Sequence, residues 1–202
     1  MQKYKFIFII ITFIFLPGYL LSQSNWELQK ENENLQVYFK QSGEETYRVR
    51  VKTSFPVNYN VLIEEVYDNI KTYPEWIYRC EQAKWLDKNK NNRVLYTVSN
   101  IPWPFQDRDV VTKMAKPQRQ GKKIILHSHS IPDYIPEKDK FERQQFSEVY
   151  WHLFPDGGNN VRVTYELTLK IKENIPEFIL KMIACKGPFE SFNNLHARLS
   201  EK

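Results

Sequence analysis

Cysteine is scarce in this chain: Cys80 and Cys185 are the two found in 202 residues. A pair so far apart carries no spacing signature of a disulfide framework or a thiolate metal cluster. Each lies in an apolar or helical-looking stretch, where a free thiol behaves as a small buried hydrophobe, and a bridge between them stays open. Glycine is also sparse, at six residues. No G-x-S-x-G, P-loop, dinucleotide fingerprint or Cys-His signature is present, so the common nucleophile-elbow and nucleotide-binding chemistries find no motif here. Charge of one sign is lacking too. The net value is +5, and without Lys3 and Lys5 of the N-terminal segment 27 basic side chains face 24 acidic ones. That balance, interspersed along the chain, gives no footprint for nucleic acid.

Long hydrophobic runs are limited to one. Residues 6–16 are almost purely apolar, follow Lys3 and Lys5, and soften through Pro17-Gly18 into Ser22. The run is shorter than the ~20 residues of a membrane-crossing helix and has the layout of a secretory signal peptide. Residues 1–22 are therefore expected to be a leader, an uncleaved anchor being the alternative, and residues 23–202 one domain of sufficient size for a real core. No repeat, low-complexity tract or linker divides it.

Aromatic residues, in contrast, are plentiful: thirteen Phe, twelve Tyr and five Trp. The stretch "NWELQKENENL" reads as a short amphipathic helix capped by Asn25. "QVYFKQSG" and "TYRVRVKTSF" form a hairpin signal, the second run alternating Tyr47, Val49 and Val51 against Arg48, Arg50 and Lys52. Helical spacing of Leu62, Val66, Ile70 and Tyr73 predicts a second helix that Pro74 ends. Run-turn-run patterns then predict an antiparallel meander, with "IPDYIPEKDK" as a loop and "DGGNN" as a turn suited to positive φ. The last strand alternates Val161, Val163, Tyr165, Leu167, Leu169 and Ile171 against polar residues. A long C-terminal helix follows, starting near Pro176, with a kink or break expected at Gly187-Pro188.

The order helix, two strands, helix, meander, long helix, together with "YPEWI", the "P...RDVV" of Pro104, Arg108 and Asp109, the proline-bearing loop after Ser130 and "TYELTLKIKENIPEFIL", resembles the START family of lipid-transfer domains. The resemblance spans about residue 30 to 200. It implies an α+β helix-grip fold, in which a curved antiparallel β-sheet wraps around the C-terminal α-helix and encloses an apolar tunnel for one lipid. Two departures stand out. Sterol carriers of the family place an acid and a base in the tunnel, at positions that fall near Leu95 and Met114 here, and the Gly-Gly before the last helix is replaced by "KEN".

On this reading the chain is an exported protein, periplasmic or secreted, that binds or transfers a lipid without catalysis. It is expected to need no cofactor or metal, to work as a monomer and to touch membranes transiently. Residues expected at the ligand are Tyr96, Trp103, Phe105, Arg108, His127, Tyr150, Tyr165, Phe178, Met182 and Phe189. "IPDYIPEK" and the C-terminal helix are expected to act as a gate. Pro102 and Pro104 mark a strand entrance that presents Trp103 at the tunnel mouth. Arg108 and Asp109 should face opposite sides of the sheet, Arg108 meeting either the ligand or an acid. The alternative is a small-molecule enzyme of the polyketide cyclase/dehydratase or hydrolase type in the same cavity. It would use His127, His129 and His152 around a metal, or Asp107, Asp109, Glu148 or Tyr165 as acid or base.

Overall fold

The computed structural model describes residues 26–89, 92–103, 105–171 and 177–200, without the side chains of residues 177–179, 182 and 183. The leader, Pro104, "KEN", Pro176 and the side chains of Phe178 and Met182 lie outside the described residues. Eleven strands form one sheet: β1 (Glu27–Glu31), β2 (Leu35–Gln41), β3 (Thr46–Phe55), β4 (Cys80–Lys88), β5 (Arg93–Ser99), β6 (Arg108–Met114), β7 (Gln118–Gln120), β8 (Lys123–Ser130), β9 (Glu142–Arg143), β10 (Phe146–Pro155) and β11 (Val161–Lys170). Their order is β1-β2-β3-β11-β10-β8-β6-β5-β4, with β7 on β8 and β9 on β6. The β6–β9 pair is parallel and the others are antiparallel.

The predicted hairpin is β2 and β3, and its alternation is real. Val37, Phe39, Val49 and Val51 are buried on the concave face, while Arg48 and Arg50 point outward and clasp Glu166 of β11 at 2.9 and 2.8 Å. The turn after β10 also follows expectation, with Gly157 and Gly158 at φ of 73° and 69°, values that a side chain would strain. Register breaks between Leu28 and Lys30, Cys80 and Gln82, and Trp85 and Asp87 help to bend the edge strands around the core.

Three expectations are corrected. "ELQKE" is an edge strand rather than a helix. Asn32 Oδ1 accepts from the amides of Asn34 and Leu35 at 2.9 and 3.0 Å, a tight turn that folds the segment back onto β2, and its charges suit an exposed edge. The helix over Asn58–Tyr73 is broken into α1 (Tyr59–Ile63), a π turn at Glu64–Asp68, a 3₁₀ turn at Ile70–Thr72 and α2 (Tyr73–Trp76). Pro74 therefore sits in the first turn of the last piece, where its missing N–H is harmless. The C-terminal helix α3 (Glu177–Ser200) continues through Gly187-Pro188 without a break.

Helix α3 lies in the concavity against β1, β2, β3 and α2. Phe192 is its central anchor, with its ring 5.2 Å from Trp151, 5.3 Å from Tyr165 and 6.3 Å from Phe55. Leu180, Cys185, Leu195 and Leu199 are buried beside it, and each leucine contributes about 1.5–3 kcal/mol by leaving water. The end of the helix is tied by Arg198, which pairs with the fully buried Glu65 and with Glu75. Thr72 Oγ1 donates to the same Glu65 carboxylate at 2.6 Å.

Candidate functional site

Because successive side chains on a strand alternate faces, the concave side of β4–β6, β8 and β10 presents a definite set: Leu95, Thr97 and Ser99; Val110, Thr112 and Met114; Leu126 and Ser128; Ser147, Val149 and Trp151. The helix does not fill the space above them, and a cavity of about 250 Å³ remains. Tyr73, Trp76, Tyr165 and Phe192 supply its aromatic walls. A second cavity of about 210 Å³ lies on the other side of Pro188, which borders both. Its wall is made by Ile101, Phe105, Arg108, Leu169, Leu180 and Ala184 among others.

The first chamber is largely apolar and, among the described residues, is lined by no charged side chain apart from His127, whose imidazole is directed toward Glu148. Burial pushes the Cys80 thiol up to about 11, which removes it as a nucleophile at neutral pH. Burial likewise raises the Tyr165 phenol, so that Tyr165 meets the chamber as a neutral hydroxyl. The Trp76 Nε1 is buried at this wall with no hydrogen-bond partner among the described residues. Leu95 and Met114 both line the chamber.

The structure divides the residues expected at the ligand. Tyr165 lines the first chamber and Phe105 and Arg108 the second. Arg108 borders that cavity while donating to Gln144 Oε1 at 3.1 Å and lying 3.6 Å from Glu142. Phe189 packs on the core rim, under Lys30. Three placements need correction. Tyr96 is 0% exposed but faces the convex side, in a small core with Val94, Val98 and Val111. In "RVLYTVS" the more apolar face, Val94, Tyr96 and Val98, reads as the chamber side, but Ile131, Ile135 and Phe141 cover it on the convex side, and Leu95, Thr97 and Ser99 turn to the chamber. Trp103 is 91% exposed and outside either chamber. Tyr150 stacks on the His127 ring on the convex face at 4.4 Å; His127 lines the first chamber from its place on β8 between Leu126 and Ser128, while its Nε2 lies 3.0 Å from Glu148 Oε1.

The groups considered for catalysis are mostly elsewhere. Asp107 Oδ1 accepts from the Ile101 amide at 2.9 Å. Glu148 and the three strand histidines belong to the convex face, and among the described residues no group of three metal-ligating side chains forms. Both cysteines are free and buried. Asp109 faces away from Arg108, as expected, and is buried in an ion pair that sequence reasoning missed. Arg143 Nε and Nη2 donate to its two oxygens at 2.7 and 3.0 Å, and Tyr96 Oη donates at 3.0 Å. The same guanidinium donates to the carbonyls of Pro132, Ile135 and Pro136. The loop expected as a gate is thereby fastened to the convex face, with Ile131, Ile135 and Phe141 packed over Tyr96's core. Nothing in "FERQQF" distinguishes Arg143 from a surface arginine.

A bent antiparallel sheet that holds a long C-terminal helix over an apolar chamber is also the architecture of known structures. A STAR-related lipid transfer protein from Xanthomonas axonopodis superposes with a TM-score of 0.76 at 21% identity, over 87% of this chain and 98% of that one. Human STARD10 gives 0.74 at 16% identity, over 90% and 75%.

The fold is START-like.

The START-like fold is shared more distantly with the Zhui aromatase/cyclase of Streptomyces, at a TM-score of 0.56 and 7% identity over 77% of this chain and 94% of that one. An uncharacterized Pseudomonas aeruginosa protein is 24% identical over 179 residues, 88% of each chain. No family model matches the chain.

Proposed function

We propose that this protein is a carrier that holds one lipid or similar hydrophobic molecule between sheet and helix, without catalysing a reaction, and that it acts after export across a membrane. The observation that carries the reading is the pair of chambers meeting at Pro188 beneath α3. Together they reach the ~300–1,000 Å³ range of small-molecule sites, and their walls are mainly apolar and aromatic. Each methylene buried there gains about 0.8 kcal/mol, so affinity for an acyl chain needs no dedicated motif. The likeness to STAR-related lipid transfer structures supports the same reading, and the apolar run of residues 6–16 supports export. Against an enzyme of the aromatase/cyclase kind stands the position of the acids: Asp107, Asp109 and Glu148 are engaged outside the first chamber, whereas a general acid or base must reach the reacting atoms. The test is native mass spectrometry of protein purified from its own compartment, followed by lipid extraction. A single co-purifying lipid is expected, and a protein that is lipid-free and refuses lipid from vesicles overturns the carrier.

A further inference from the structure

Five serine and threonine side chains of the sheet face the first chamber: Thr97 and Ser99 on β5, Thr112 on β6, Ser128 on β8 and Ser147 on β10. Their arrangement follows from the register. Thr112 lies opposite Leu95 and Ser130, which makes Thr97 and Ser128 its diagonal neighbours on either side; Ser128 lies opposite Val149, which makes Ser147 the next step. Diagonal neighbours on one face are about 7–8 Å apart, so the hydroxyls form a belt across four adjacent strands. None of the five side chains has a hydrogen-bond partner among the described residues, although each is partly withdrawn from solvent. Ser130, by contrast, is occupied, its Oγ donating to Gln145 O and accepting from the Ser147 amide.

A polar group in an apolar chamber costs free energy until it is paired, so this belt suits a ligand that brings several oxygen donors or acceptors. The charge of that ligand is constrained by what accompanies the belt. Leu95 and Met114 stand beside it, and among the described residues the cation bordering the adjoining chamber, Arg108, is engaged by Gln144 and Glu142. An ionised carboxylate or phosphate in the first chamber would lose its hydration without gaining a counter-charge. Resting on the carrier reading, we infer that the bound molecule is an uncharged lipid whose head carries hydroxyl or ester oxygens, of the diacylglycerol type, with its head against the Thr97–Thr112–Ser128–Ser147 belt and a tail continuing past Pro188 into the second chamber.

The full-length protein is incubated with phosphatidylcholine vesicles carrying tritiated dioleoylglycerol, phosphatidylglycerol, oleate or hexadecane, and label retained by the protein after gel filtration is counted. Dioleoylglycerol should be retained at least about tenfold better than phosphatidylglycerol or oleate. The double variant Thr112→Val/Ser128→Ala should lower dioleoylglycerol retention about tenfold, the loss expected for two hydrogen bonds, and leave hexadecane retention unchanged. The pair Thr97→Val/Ser147→Ala serves the same purpose if the first variant does not fold. Retention of a charged lipid equal to that of dioleoylglycerol, or a belt variant that retains dioleoylglycerol as well as the parent, overturns the ligand class while the carrier stands. Retention of none of the labels, hexadecane included, overturns the carrier and the ligand class with it.

Discussion

At the scale of single residues, the informative side chains are the polar ones that folding has buried. Asp109 and Arg143 are each 1% exposed at the side chain, and a buried ion pair is held by geometry rather than by net stabilisation. Breaking it from one side should be costly: Asp109→Ala leaves the guanidinium unpaired and is expected to lower stability by about 3–5 kcal/mol. The double variant Asp109→Leu/Arg143→Met should cost clearly less, as urea denaturation of the three proteins would show. A second residue-scale effect concerns pH. Burial lowers the His196 pKa from its ordinary value; the ring lies 4.2 Å from Phe55 and 2.7 Å from Thr53 Oγ1. Its folded value thus lies below its unfolded one of about 6.5, and the native state keeps it neutral while the unfolded chain takes up a proton. Stability is unaffected above that pH and falls as pH drops from about 6.5 toward the folded value. His129 and His152 are shifted in the same direction by burial. Denaturation midpoints should therefore decline between about pH 7 and 5, and His196→Gln should flatten part of that decline; an unchanged slope would show that the imidazole is not what titrates.

At the scale of elements, α3 is the piece on which the fold and the candidate site both depend. Pro188 removes one intrahelical hydrogen bond and presses on the carbonyl of Ala184, and it borders both chambers. The kink expected from sequence alone does not break the helix because the packing of Phe192, Leu195 and Leu199 on its far side fixes its course. Pro188→Ala should restore the backbone bond. Set against the looser unfolded chain and the lost ring contacts, it should raise stability by on the order of 1 kcal/mol and slow the exchange of a bound lipid, both measurable on the purified protein. Other elements show where sequence patterns suffice. Strand β3 and strand β11 were legible because one face is charged and the other is not. Strand β5 was not, for its more apolar face, Val94, Tyr96 and Val98, is covered on the convex side by Ile131, Ile135 and Phe141, and its hydroxyl-bearing face turns to the chamber. "ELQKE" was misread for a related reason: a short edge strand with one apolar residue has no period to detect. The hydroxyl belt was invisible because it is assembled from one or two residues on each of four strands and exists only in the register between them.

At the scale of the whole molecule, the proposed carrier role requires a lipid to cross from a bilayer into a chamber covered by α3 on one side and by the sheet on the other. On that proposal the port is the loop bearing Trp103, from which Ile101 and Phe105 line the second chamber. Trp103, 91% exposed, has no core role there. An indole held in water is costly, yet it suits the boundary between head groups and acyl chains. Among the described residues no helix is long and apolar enough to cross a membrane. Trp103→Ala should leave thermal stability within about 0.5 kcal/mol of the parent, because the side chain packs against almost nothing. It should reduce co-flotation with vesicles and the rate of lipid uptake several-fold while leaving the amount of lipid held at saturation unchanged, since neither chamber loses a wall. A variant that binds vesicles and loads as fast as the parent would place the port elsewhere on the surface. A variant that loads to a lower saturating level would show instead that Trp103 folds inward over the bound lipid.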